Sequence, residues 1–179
     1  MKKLLILTVL VLLVAALGSN AMDMTKKWGV GYFMDDTPLG VRFWLNEKTG
    51  IDIGIGLENA DLGNETAMSY WASVGVPIVL FPTERANFFA RPGVQIGVLD
   101  NRVYGSGPQD ETLNQFVISL SLGGEVFFGN NFSLEAASGI AAAMTSYPDT
   151  PTGTPVDGTT DIFTFGAGVS SLGFHFYFR

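Results

Sequence analysis

Four charged side chains, Arg42, Arg91, Glu125 and Glu135, each stand on a strand face otherwise rich in glycine and small polar residues. Glu125 and Glu135 flank Gly129-Asn130-Asn131. If that stretch turns the chain so that Phe128 faces Phe132, the two carboxyls lie opposite each other. Facing carboxylates need a shared proton or a bridging cation. Arg91, together with Arg42, is expected to supply it. His175 is the only histidine and cysteine is absent. A serine-histidine-acid hydrolase would have to use His175, and neither a thiolate nor a second histidine offers a transition-metal site. Asp35-Asp36, Asp110-Glu111 and the Asp149/Asp157/Asp161 group could offer oxygen ligands. None has the spacing of a calcium loop, so they read as solvated anionic surface. Gly29/Gly31, Gly54/Gly56 and Gly166/Gly168 are spaced by two with no helix to follow, which excludes dinucleotide loops. They make room for large neighbours in a curved sheet. A net charge of -7 argues against nucleic acid. No catalytic residue, metal or cofactor is expected.

The elements that must position these groups are strands. Strict alternation recurs in eight segments: Trp28 to Asp35, Leu39 to Asn46, Ile51 to Glu58, Met68 to Leu80, Phe88 to Leu99, Gln115 to Phe128, Phe132 to about Met144, and about Asp161 to the end. In the third, Ile51, Ile53, Ile55 and Leu57 alternate with Asp52, Gly54, Gly56 and Glu58. One face is apolar throughout and the other is small, polar or charged. A soluble sandwich alternates in the same way, so the connections carry more information. Residues 46–50, 81–87 and 129–131 are tight; 59–67, 100–114 and 146–160 are long and acidic, with 36–38 a short exception. Short turns on one side and long loops on the other describe an eight-stranded antiparallel up-and-down transmembrane β-barrel in an outer membrane.

Eight strands leave an interior just wide enough for side chains. Arg42, Arg91, Glu125 and Glu135 each stand about four residues from a turn, so they should form one layer, an ionic plug. His175 is expected near the turn-side rim in a structural role. Tyr32, Tyr70, Trp71, Tyr147 and Phe163 should form an aromatic girdle on the loop side. Pro77 and Pro92 remove ladder donors from the fourth and fifth segments, so a bulge or weakened pairing is expected there. A second bulge is expected at Ser170-Ser171, where the alternation slips.

The two ends carry addresses. Lys2 and Lys3 precede an apolar run from Leu4 to Leu17 and a small-x-small site at Ser19-Asn20-Ala21. This reads as a signal peptide over 1–21, with the barrel domain over 22–179. At the other end, Ser171-Leu172-Gly173-Phe174-His175-Phe176-Tyr177-Phe178 alternates aromatics outward. With the eight alternating segments, this resembles the small outer-membrane β-barrel family of the OmpA/OmpX type. Ser171, Gly173, Phe176 and Phe178 match that family's terminal assembly signal. Arg179 departs from it, because the family usually ends on the aromatic. The resemblance implies recognition by the barrel-assembly machinery of a Gram-negative-type envelope.

The expected function is structural or surface-interacting. The implied partners are outer-membrane lipid and lipopolysaccharide, the assembly machinery, and an extracellular ligand at the acidic loops. The alternatives are a narrow small-solute channel, a lipid-modifying barrel enzyme, and a secreted lipocalin-like carrier. The last would turn its apolar faces inward.

Overall fold

The computed structural model describes residues 27–33, 36–61, 66–100, 102, 112–146, 160–161 and 169–178. The expected signal peptide, most of the long acidic loops, Tyr147, Phe163, Gly166, Gly168 and Arg179 lie outside these residues. The strands are β1 (Trp28–Phe33), β2 (Leu39–Trp44), β3 (Gly50–Asp61), β4 (Thr66–Gly75), β5 (Ile78–Pro82), β6 (Ala86–Asp100), β7 (Thr112–Phe128), β8 (Phe132–Ser146), β9 (Thr160–Asp161) and β10 (Val169–Phe178).

Each strand pairs antiparallel with its neighbour, and β10 pairs with both β1 and β8. That double pairing closes an eight-stranded barrel and leaves no sheet edge between first and last strands. β4 and β5 are two parts of one barrel strand, and β9 is a two-residue piece on β8. Trp28 faces Phe178 across the closing seam, and Phe132 faces Phe176 on the other side of β10.

The strand broken between β4 and β5 shows what two prolines do to a ladder. Gly75 faces Gly93 and Ile78 faces Ala90, so Pro77 lies opposite Arg91. Pro77 has no N–H to donate. Its carbonyl accepts instead from Gly50 N at 3.0 Å, and Val76 N donates to Pro92 O at 2.9 Å. Beyond the break β5 carries a bulge between Val79 and Phe81, so Phe81 rather than Leu80 faces Phe88. The bulge expected at Ser170-Ser171 is absent. Pairing with β8 runs without a slip from Val169↔Gly139 to Phe176↔Phe132. β9 pairs Asp161 with Ala143, a register different from that of β10.

The two faces of the wall are inverted relative to a soluble protein. Val30 and Tyr32 on β1, Ile53 and Ile55 on β3, Ile118 and Leu122 on β7, and Leu172 and Phe176 on β10 are all exposed. Arg42, Glu125, Glu135 and His175 are buried inside. This is the opposite of a lipocalin-like arrangement. One aromatic departs from the expected pattern: Trp71 points inward, where it packs with Leu99 and Leu113. It sits at the loop-side end but is not part of an outer girdle.

Glycine sets how closely the inner side chains can pack. A Cβ at Gly29 would come within 2.8 Å of the Tyr177 ring, and one at Gly123 within 2.5 Å of Phe89 Cζ. The wall carries glycine where its neighbour sends a large ring across the lumen. In the β7–β8 hairpin, Gly129 adopts φ +75°, the left-handed backbone a tight turn requires.

Candidate functional site

The lumen layer is built by hairpin register. β2 and β3 set Arg42 opposite Asp52, and β7 and β8 set Glu125 opposite Glu135. Arg91 enters from β6, facing Ser121. All five side chains meet. Arg42 clamps Asp52 with Nε at 2.6 Å and Nη2 at 2.7 Å, a two-point pairing that suits a planar guanidinium. Its Nη1 lies 2.7 Å from Glu135 Oε2 and 3.2 Å from Glu125 Oε2. Arg91 Nη1 reaches Glu135 Oε1 at 2.8 Å and Asp52 Oδ2 at 3.3 Å, and its Nη2 donates to Ser171 Oγ at 3.2 Å. Glu125 Oε1 accepts from Ser133 Oγ and from the Tyr177 hydroxyl, both at 2.6 Å.

The expected residues Arg42, Arg91, Glu125 and Glu135 are therefore brought together, with Arg42 central to the layer and Arg91 at its loop-side margin. Three further members, Asp52, Ser133 and Tyr177, go beyond the expected set. Asp52 was legible: the hairpin argument used for the two glutamates places it opposite Arg42. Ser133 and Tyr177 reach Glu125 as a serine and a phenol, which leave no charge signature in a sequence. His175 belongs to the layer rather than to the rim. Its Nδ1 is 3.6 Å from Glu125 Oε1, and its ring packs edge-on to Phe33 at 4.8 Å.

The residues matching the terminal signal also have places in the folded barrel. Ser171 receives Arg91, and a Cβ at Gly173 would meet Phe33 Cδ1 at 2.7 Å. Phe176 and Phe178 point outward.

Below the layer, Trp44, Val79, Phe127 and Tyr177 form an apolar floor. Phe89 lies with them, its ring 5.8 Å from the Arg42 guanidinium carbon and 5.7 Å from that of Arg91. Such stacking holds a guanidinium in place and recovers part of its lost hydration. Above the layer the lumen opens into a cavity of about 70 Å³ whose walls include Thr37, Asp52, Ser73, Arg91, Gln95, Ser119 and Ser121. Thr37 and Ser73 share a hydrogen bond at 2.9 Å across it, and Gln95 Nε2 donates to Asp36 Oδ2 at 3.2 Å. The other expected loop acids, Asp35, Asp110, Glu111, Asp149 and Asp157, lie outside the described residues, and Asp161 is described only as backbone in β9.

No protein-family model, curated protein or solved structure matches the chain. The side chains of Arg42, Glu125, Glu135 and His175 are all 0% exposed. A floor of rings closes one end of the layer. Its chemistry is that of an electrostatic cross-brace: five charged groups from five strands tie opposite walls together across the lumen.

Proposed function

We propose that this chain is an integral outer-membrane β-barrel whose lumen is plugged and whose role is structural or surface-interacting. One observation carries the reading: the apolar face of every long strand points away from the barrel, and the charges point into it. In water that outer face would be an apolar patch far larger than soluble monomers expose. Against lipid it is the stable arrangement, because a closed barrel satisfies its backbone internally. The plug is supported by the buried ionic layer and the aromatic floor beneath it. Lipid and lipopolysaccharide would contact the belt, the assembly machinery would recognise the Ser171 to Phe178 strand, and the loop-side acids would meet cations or an extracellular ligand.

Two measurements test this. Detergent-solubilised protein should migrate differently on a gel before and after boiling, because a closed barrel resists unfolding by detergent alone. In a planar bilayer it should show no large steady conductance. Solubility without detergent would refute the membrane reading, and sustained ion current would refute the plug.

A further inference from the structure

Glu125, Glu135 and His175 present one carboxylate oxygen each and an imidazole nitrogen within 4.8 Å of one another, and all three residues are buried. The ionic layer around them is unbalanced. Among the described residues it holds the carboxylates of Asp52, Glu125 and Glu135 against the guanidiniums of Arg42 and Arg91. With His175 neutral and all three carboxyls ionised, the layer carries one net negative charge, which favours a cation or a shared proton between the glutamates.

A second observation is independent of the charge count. Both ring nitrogens of His175 are buried without a protein hydrogen-bond partner, whereas Glu135 Oε2 is ion-paired with Arg42 Nη1 at 2.7 Å. Buried polar atoms are nearly always satisfied. The unpartnered Nδ1 of His175 faces Glu125 Oε1.

We propose that Glu125, Glu135 and His175 form a binding site for a first-row divalent transition ion such as Zn²⁺ in the barrel lumen. One imidazole nitrogen with two carboxylate oxygens is a donor set for such ions, whereas Ca²⁺ and Mg²⁺ prefer oxygen alone. Zn²⁺ holds these donors at about 2.0–2.2 Å, so they must draw together by roughly an ångström from their present spread. Arg42 holds Asp52 through Nε and Nη2, so its planar guanidinium stays in place, and Glu125 and Glu135 turn from Nη1 toward His175 to take the ion. The Tyr177 hydroxyl, already on Glu125 at 2.6 Å, stands ready to orient that ligand or to complete the set. The ion would enter from the loop side, since Arg91 and Asp52 are the layer members that line the upper cavity. The site lies inside the barrel whichever solvent surrounds it, so its test does not depend on membrane insertion.

The experiment uses untagged, folded barrel in detergent micelles. After equilibration with Zn²⁺ or Co²⁺ and dialysis, metal content is measured, and the Co²⁺ absorption bands are recorded. About one retained equivalent, together with visible Co²⁺ bands, is expected. His175→Ala and the near-isosteric Glu135→Gln should each weaken retention at least tenfold, with folding checked by heat-modifiable migration. Should one of them fail to fold, the other serves, and a Zn²⁺-induced shift of the His175 ring signals in the NMR spectrum of the unaltered chain reports the same binding. Failure of the folded, unaltered barrel to retain metal overturns the proposal. So does retention that persists in the folded variants, because that metal would sit elsewhere.

Discussion

The two halves of the lumen are filled by different means. Toward the turns, Trp44, Phe89, Phe127 and Tyr177 and the ionic layer leave almost nothing exposed. Toward the loops, hydroxyls and glycines surround a cavity, with Trp71, Leu99 and Leu113 packed beyond it. The wall is the same sheet in both halves, with the same alternation. What differs is whether the inward side chains fill the space between the walls: they do around Arg42 and Phe89, and they leave a cavity around Ser73 and Ser119. The turn-side half is therefore where substitutions should be felt, and the wall of the loop-side cavity is where they should be absorbed.

The largest expected effect is at the centre of the layer. Arg42→Leu leaves three carboxylates facing Arg91 alone and should lower the unfolding free energy by about 3–5 kcal/mol in a urea titration of the vesicle-embedded barrel. Gly123→Val tests packing without charge. Its added carbons meet Phe89, and overpacking of this kind costs roughly 1–3 kcal/mol in the same titration. Ser119→Val, on the wall of the upper cavity, should change stability by less than about 1 kcal/mol. Equal losses at 123 and 119 would break the contrast between the halves.

The smallest effect lies above the belt. Asp100 stands beyond Val98, the last outward apolar residue of β6, and Arg102 grips it with Nη2 at 2.5 Å and Nε at 2.9 Å. These hydrogen bonds hold its carboxyl down from 3.8 to about 2. A lowered carboxyl pKa stabilises the fold fully above the unfolded value, and the contribution is lost as pH falls through the folded one. The pair should thus hold at pH 5 and release between about pH 4 and pH 2. Carbon-13 NMR of the Asp100 carboxyl should show a midpoint near 2, moving up toward the ordinary carboxylate range in Arg102→Ala.

Much of this fold was legible because period-two alternation states which residues share a face, and short hairpins state which residues oppose each other. The Glu125–Glu135 pairing and the break at Pro77 both follow from counting across a turn. Two kinds of feature were not legible. An inward ring and an outward ring look alike along the chain, so Trp71 read as girdle and the floor of Phe89, Phe127 and Tyr177 went unseen. Register between strands joined by long connections is set by packing rather than by a turn. The slip expected at Ser170-Ser171 is therefore not found there, and Tyr177 reaching Glu125 from 52 positions away had no local sign.

A membrane role requires the outer face to meet lipid, and the three tryptophans can report on it. Trp28 is 43% exposed on the outer face, whereas Trp44 and Trp71 are 0% and 8% exposed inside the barrel. Fluorescence of the barrel in vesicles of lipids brominated on their acyl chains should be quenched, and Trp28→Phe should remove most of that quenching. Quenching that is absent from the unaltered protein, or unchanged in Trp28→Phe, would contradict a lipid-facing wall.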